Sequence, residues 1–199
     1  MREVELKAVI DDWPGRRALV ERAGGVLTFA GRLEDRRYDT PARDLTRRRE
    51  VLRLRVYRDA AAGHAHAELG WKGPTEYDSG YKVREELQAL LHDPAMLAAI
   101  LRRLGYVVNL AIDREIAQYD LSGTTVRFER YPRMDDLVEV EGHPEGIERS
   151  IVALGMDRSA FTSERLPAFV SRWRERTGQQ PALSDDELTG RAQYSLEDA

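Results

Sequence analysis

Charged and apolar residues alternate along several short segments of this chain, and the charges on those segments are sorted by sign. In residues 2–10, Val4, Leu6, Ala8 and Ile10 fall on one side of an extended backbone, and Glu3, Glu5 and Lys7 fall on the other. Residues 51–58 set Leu52, Leu54 and Val56 against Arg53 and Arg55, and residues 137–141 set Leu137, Glu139 and Glu141 against Val138 and Val140. A period of two is the mark of a strand whose two faces meet different surroundings. Weaker alternation over 34–39, 66–72, 82–88, 106–120 and 124–131 brings the expected set to about eight strands.

Helical patterns lie between and after these strands. Residues 14–23 open with Pro14 and stop at Gly24-Gly25; residues 94–104 open at Asp93-Pro94 and stop at Gly105. A third helix is expected near 145–154, and a fourth near 164–176 with Leu166, Phe169, Val170 and Trp173 on one stripe. The run from Ala60 to Ala67 reads as a hairpin loop, with His64 and His66 exposed and lacking a third metal ligand. The expected organisation is one folded domain over 1–177, followed by a polar, acidic segment, 178–199, that is flexible or loosely docked.

A net charge of -4 argues against general affinity for nucleic acid or anionic membranes, which depends on excess lysine and arginine. With no cysteine, thiolate metal sites and a cysteine nucleophile are excluded. The charged N-terminal run and the lack of a long apolar stretch lead us to expect a soluble, cytoplasmic protein. A homodimer is compatible with these features.

A solvated sheet face is the simplest account of any one such strand. Taken together, however, the strands carry two identical carboxylate pairs, Glu3/Glu5 and Glu139/Glu141, and a cationic set, Arg53, Arg55, Lys72, Lys82 and Arg84. If the charged faces curl inward and helices cover the apolar faces, the result is a barrel with a polar interior. Converging glutamates suit hard cations such as Mg²⁺ or Mn²⁺, and the cations opposite suit a polyanion. Phosphoryl chemistry needs chiefly positioning and charge neutralisation, which such groups provide.

The segment Glu3-Val4-Glu5-Leu6-Lys7 resembles the ExExK signature of the CYTH family, the triphosphate tunnel metalloenzymes. In family order follow Arg37-Tyr38-Asp39, Leu52-Arg53-Leu54-Arg55, Trp71-Lys72-Gly73-Pro74, Lys82-Val83-Arg84-Glu85-Glu86 and Glu139-Val140-Glu141-Gly142. The resemblance covers residues 2–142 and implies an α+β fold: an eight-stranded antiparallel β-barrel, the triphosphate tunnel, with helices packed outside. It implies metal binding and catalysis by Glu3, Glu5, Glu139 and Glu141, with Lys7 also catalytic. It implies phosphate contacts from Lys7, Arg53, Arg55, Lys72, Lys82 and Arg84, with Glu86 as a further tunnel group.

One departure concerns the sixth strand, where the family often has Lys-x-Arg-x-x-Tyr. Here Arg114 stands at the lysine position and Ile116 at the arginine position. Arg114 is therefore an expected phosphate ligand, and Arg127 on the next strand is expected to supply the missing cation. The leading expectation is a metal-dependent triphosphatase using Mg²⁺ or Mn²⁺, with inorganic triphosphate, thiamine triphosphate or a nucleoside triphosphate as its small-molecule partner. The alternatives are a class IV adenylate cyclase making cyclic AMP and pyrophosphate from ATP, and a non-catalytic sensor of polyphosphate or nucleotide.

Overall fold

The computed structural model describes residues 4–60, 65–78 and 81–195. Ten strands alternate with helices: β1 (Glu5–Val9), α1 (Trp13–Arg22), β2 (Val26–Asp39), α2 (Asp44–Arg47), β3 (Val51–Asp59), β4 (Ala65–Lys72), β5 (Glu76–Asp78), β6 (Tyr81–Val83), β7 (Glu86–Leu91) and α3 (Pro94–Arg103). After them come β8 (Val107–Leu121), β9 (Thr124–Arg130), β10 (Leu137–Glu141), α4 (Pro144–Ala153), α5 (Leu166–Thr177) and α6 (Asp185–Leu188). The four long helices lie within two residues of their expected bounds. Asp12 and Asp93 start α1 and α3 by accepting from Gly15 N at 3.0 Å and Met96 N at 2.8 Å.

All strands belong to one antiparallel sheet in the order β5-β6-β1-β10-β9-β8-β2-β3-β4-β7. The expected closed eight-stranded barrel is thus a ten-stranded sheet whose outermost strands, β5 and β7, are not joined by a ladder among the described residues. The reason lies in the run expected as one strand over 82–88. Its first part, β6, pairs with β1; its second part, β7, pairs with β4 at the other end of the sheet. Only Arg84 and Glu85 separate them. Two strands at opposite ends of a sheet cannot be two residues apart in sequence unless that sheet curls round on itself. The polar lumen follows from this connection.

The outward faces of β1, β8, β9 and β10 carry Leu6, Ala8, Tyr119, Val126, Phe128, Val138 and Val140, which pack with Val20 of α1, Ile147 and Ile151 of α4, and Leu154 just after it. Tyr38 and Leu54 of β2 and β3 pack with Leu101 of α3. Helix α5 departs from the expected outer position. Its Leu166, Phe169 and Val170 pack with Leu110, Ile112, Tyr131 and Leu137, which share the strand faces of Arg114, Glu129 and Glu139. The helix therefore seats on the inner face and closes one end of the lumen with apolar side chains.

The segment expected to be flexible or loosely docked is anchored along much of its length. Ala182, Leu183 and Ser184 are buried. Asp113 N donates to Leu183 O at 2.7 Å, Asp113 Oδ2 accepts from Asp185 N at 3.0 Å, and Arg32 pairs with Asp185 at 2.6 Å. Among the described residues, no helix is long and apolar enough to cross a membrane.

Candidate active site

The inward positions of β1–β4, β8, β9 and β10 enclose a cavity of about 480 Å³. Each strand contributes every second residue: Glu5 and Lys7 from β1, Asp35 and Arg37 from β2, Arg53, Arg55 and Tyr57 from β3. His66, Glu68 and Lys72 come from β4, Arg114 and Gln118 from β8, Thr125 and Arg127 from β9, and Glu139 and Glu141 from β10. Arg84, Glu86 and Gln88 complete one wall, and Arg165 and Leu166 face in from the α5 end. Among the described residues, nine cationic side chains line the cavity against six carboxylates, so its interior favours anions in a chain whose net charge is negative.

Ten of the expected site residues meet in this cavity: Glu5, Lys7, Arg53, Arg55, Lys72, Arg84, Arg114, Arg127, Glu139 and Glu141. Glu3 lies outside the described residues. Lys82 stands in register opposite Glu5, with no side-chain placement described.

The carboxylate wall forms where β1 pairs with β10, in the register Glu5↔Glu141 and Lys7↔Glu139. Lys7 Nζ lies 3.1 Å from Glu5 Oε1 and 2.6 Å from Glu139 Oε2. Arg127 donates to Glu139 Oε1 at 2.9 Å and to Gln118 Oε1 at 2.9 Å. Burial alone would raise the Glu139 carboxyl, but Lys7 and Arg127 outweigh it and hold the group well below the usual carboxylate range. Burial likewise opposes the charge on Lys7, and Glu139 and Glu5 overcome it, raising Lys7 above an ordinary lysine. Among the described residues, no three acidic or histidine side chains form a ready metal cluster. The donor set of Glu5, Glu139 and Glu141 nevertheless fits a hard divalent cation: all donors are carboxylate oxygens, and two of them already surround one positive charge.

The opposite wall is cationic and carries its own internal counter-charges. Arg53 pairs with Glu86 at 2.6 Å and Lys72 with the same carboxylate at 3.3 Å. Asp35 accepts from Arg55 Nε at 2.9 Å and lies 3.7 Å from Arg114. Burial would raise Asp35, and four surrounding guanidiniums, Arg55, Arg53, Arg37 and Arg114, hold it far below the usual range. Burial pulls Arg37 down to about 10; Asp35 resists this, while Arg53, Arg55 and Arg114 add to it. A guanidinium so placed is stabilised by any anion entering the cavity.

Several groups have roles that the sequence reading did not assign. Arg114 pairs with Glu129 at 3.1 Å, and Glu129, fully buried, accepts from the Tyr131 hydroxyl at 2.6 Å. Arg84 donates to Gly73 O at 2.7 Å and to Arg49 O at 3.2 Å, bracing the rim. Of Arg37-Tyr38-Asp39, only Arg37 lines the cavity. Asp39 accepts from Leu45 N and Thr46 N, each at 2.9 Å, and fixes α2. His66, expected in a loop, lies in β4 at the cavity wall with its ring on that of Tyr57, 4.4 Å away and 5° from parallel. His64 is outside the described residues.

These depressed carboxylates set an acid limit. Asp35, Glu86 and Glu139 all have folded-state values below their ordinary ones. The stability they contribute is therefore present above the ordinary carboxylate range, near pH 4, and is lost as pH falls through the lowered values. The thermal midpoint should be nearly level between about pH 7 and pH 5 and fall steeply below about pH 4. A midpoint that stays level to about pH 3 would mean these pairs contribute no net stability.

Residues 1–143 match the family model described as CYTH domain. The chain is similar in fold to the PH1819 protein of Pyrococcus horikoshii, with TM-score 0.68, 24% identity, and coverage of 85% of this chain and 98% of that one. It is similar also to a candidate adenylate cyclase of Vibrio parahaemolyticus, with TM-score 0.69, 18% identity, and 85% and 97% coverage. A third similar structure is a candidate adenylyl cyclase of Hippeastrum described as having a dominant triphosphatase activity, with TM-score 0.60, 18% identity, and 92% and 98% coverage. Among curated proteins, none matches the chain.

Proposed function

The chain belongs to the CYTH domain family, and from that premise we propose that it is a metal-dependent triphosphatase acting on its substrate inside the charged cavity. The observation that carries this reading is the division of one enclosed lumen into a carboxylate wall, Glu5, Glu139 and Glu141, and a cationic wall, Arg37, Arg53, Arg55 and Lys72. Phosphoryl transfer asks for these two things, and for little covalent participation by protein groups.

In this reading Arg53, Arg55 and Lys72 hold the phosphate oxygens, with Arg37 behind them and Arg84 at the rim. Glu5, Glu139 and Glu141, with Glu3, would hold Mg²⁺ or Mn²⁺, which when bound neutralises charge on the phosphoryl group. Lys7 and Arg127 keep Glu139 ionised and oriented between them. Carboxylates held in that state orient a water by accepting from it. The apolar contact of α5 at one end limits access of bulk water to the lumen. Hydrolysis is favoured over cyclisation because the Hippeastrum relative, described as a candidate cyclase, has dominant triphosphatase activity.

Incubation with inorganic triphosphate, thiamine triphosphate or ATP in Mg²⁺ or Mn²⁺, with products separated by chromatography, tests the proposal. Release of inorganic phosphate, reduced to background by EDTA, is the expected result. Cyclic AMP with pyrophosphate would replace hydrolysis by cyclisation, and no turnover of any of the three would remove the enzymatic reading.

A further inference from the structure

Towards one end of the lumen aromatic and apolar side chains gather beside the charged rows, with Glu68 there accepting from the Tyr57 hydroxyl at 3.1 Å. On β2 and β8, Leu33 and Ile116 lie next to the arginine-bearing positions on the same strand faces, and both are buried in a cluster with Tyr57. Phe29 packs against that cluster, its ring edge-on to Tyr57 at 5.5 Å and to His66 at 6.0 Å. His66 lies flat on Tyr57 yet is exposed and lines the cavity. The exposure of a ring covered on one face comes from its other side. Gln118, in register with Phe29, also lines the cavity at this end, its side-chain oxygen accepting from Arg127 at 2.9 Å.

A pure polyanion has no use for such a surface. Inorganic triphosphate is solvated or ion-paired over its whole length, and apolar rings beside it would only remove water from its charges. A planar heterocycle, in contrast, gains by stacking on aromatic and imidazole faces. Tyr57, Arg55 and Arg53 are successive inward positions of β3, so one extended strand runs from the ring cluster into the guanidinium row. A molecule with a ring at one end and phosphates at the other matches that sequence of surfaces.

We propose that Phe29, Tyr57 and His66 form a ring-binding subsite, with His66 as the stacking face, and that the substrate is a triphosphate ester of a planar heterocycle rather than inorganic triphosphate. This inference rests on the triphosphate reading of the cavity and adds a determinant of specificity to it. Ile116 contributes by packing an apolar side chain under Tyr57 at a position where a cation would draw phosphate instead.

The test is calorimetric titration of the intact chain in EDTA with ATP, thiamine triphosphate and inorganic triphosphate, for wild type, His66→Ala and His66→Phe. Wild type should bind at least one ring-bearing triphosphate about tenfold more tightly than inorganic triphosphate. His66→Ala should abolish that preference and His66→Phe should keep it, since phenylalanine restores a planar face. Which ring binds more tightly separates a nucleobase from the thiamine ring system. Equal affinities for all three ligands in wild type, or a preference unchanged in His66→Ala, would overturn the subsite. Because binding is read without turnover, a protein that prefers rings but hydrolyses nothing keeps the subsite and loses only the catalytic reading.

Discussion

Glu139→Gln should lose turnover on the order of a hundredfold or more while the protein stays folded. Glutamine keeps the shape of the side chain and one acceptor, but it removes the negative charge and turns an amide donor toward one of two cations. Those cations are Lys7, 2.6 Å from Oε2, and Arg127, 2.9 Å from Oε1. Any divalent cation held by this wall loses a ligand of full charge, and the ordering of Lys7 and Arg127 is disturbed in the same step. The stability cost should be modest, about 2 kcal/mol, the usual scale for losing a hydrogen bond to a charged group. Lys7 still has Glu5 at 3.1 Å, which limits the damage. Steady-state rates beside thermal melts separate the two effects. Near wild-type rates would take Glu139 out of the reacting site, and a collapse of the fold would show that its role is mainly structural.

The parts of this site that were legible in the sequence are those on strands with unbroken alternation. Glu5 and Lys7, Arg53 and Arg55, and Glu139 and Glu141 sit where a period of two places them, on faces that point into one cavity. The first half of β2 was not legible. The strand is Val26–Asp39, yet alternation is apparent only from residue 34, because residues 26–33, Val-Leu-Thr-Phe-Ala-Gly-Arg-Leu, set apolar or small residues on both faces. Phe29 therefore reached the cavity unannounced. His66 was misplaced for a different reason: its neighbours are alanine and glycine, and composition favoured a loop over the strand that starts at Ala65.

The internal counter-charges were hidden by the chemistry that made the rest readable. Asp35, Glu68 and Glu129 are carboxylates among arginines in a chain rich in both, and nothing in spacing distinguishes an inward acid that neutralises a neighbour from a surface one. Glu68 illustrates this: it accepts from the Tyr57 hydroxyl at 3.1 Å and lies 3.7 Å from Arg55, partners that only strand register brings near. The position of α5 was hidden similarly. Its stripe of Leu166, Phe169 and Val170 shows that one face must be buried, but it does not say whether the outer or inner face of a curled sheet receives it.

Arg114→Ala should unfold the protein far more readily while affecting phosphate binding less than Arg53→Ala. The Arg114 guanidinium is buried, 3.1 Å from a Glu129 carboxylate that has no exposed surface, with Asp35 at 3.7 Å. Truncation leaves Glu129 with the Tyr131 hydroxyl at 2.6 Å but without this close cationic partner. Removing one side of a buried pair typically costs about 3–5 kcal/mol, because the remaining charge stays out of water. In a chain of this length that corresponds to a fall in melting temperature on the order of 10 °C. Arg53 is buried too, but its partner Glu86 also accepts from Lys72 and Gln88, so the same truncation there leaves a carboxylate that is still held. The double variant Arg114→Ala/Glu129→Gln should recover part of the loss, since it removes the stranded charge, and with the Glu129→Gln single variant the cycle gives the coupling energy of the pair. A single Arg114→Ala variant melting within about 2 °C of wild type would show that this pair contributes little to stability. Arg114 would then be left with the phosphate-binding role alone.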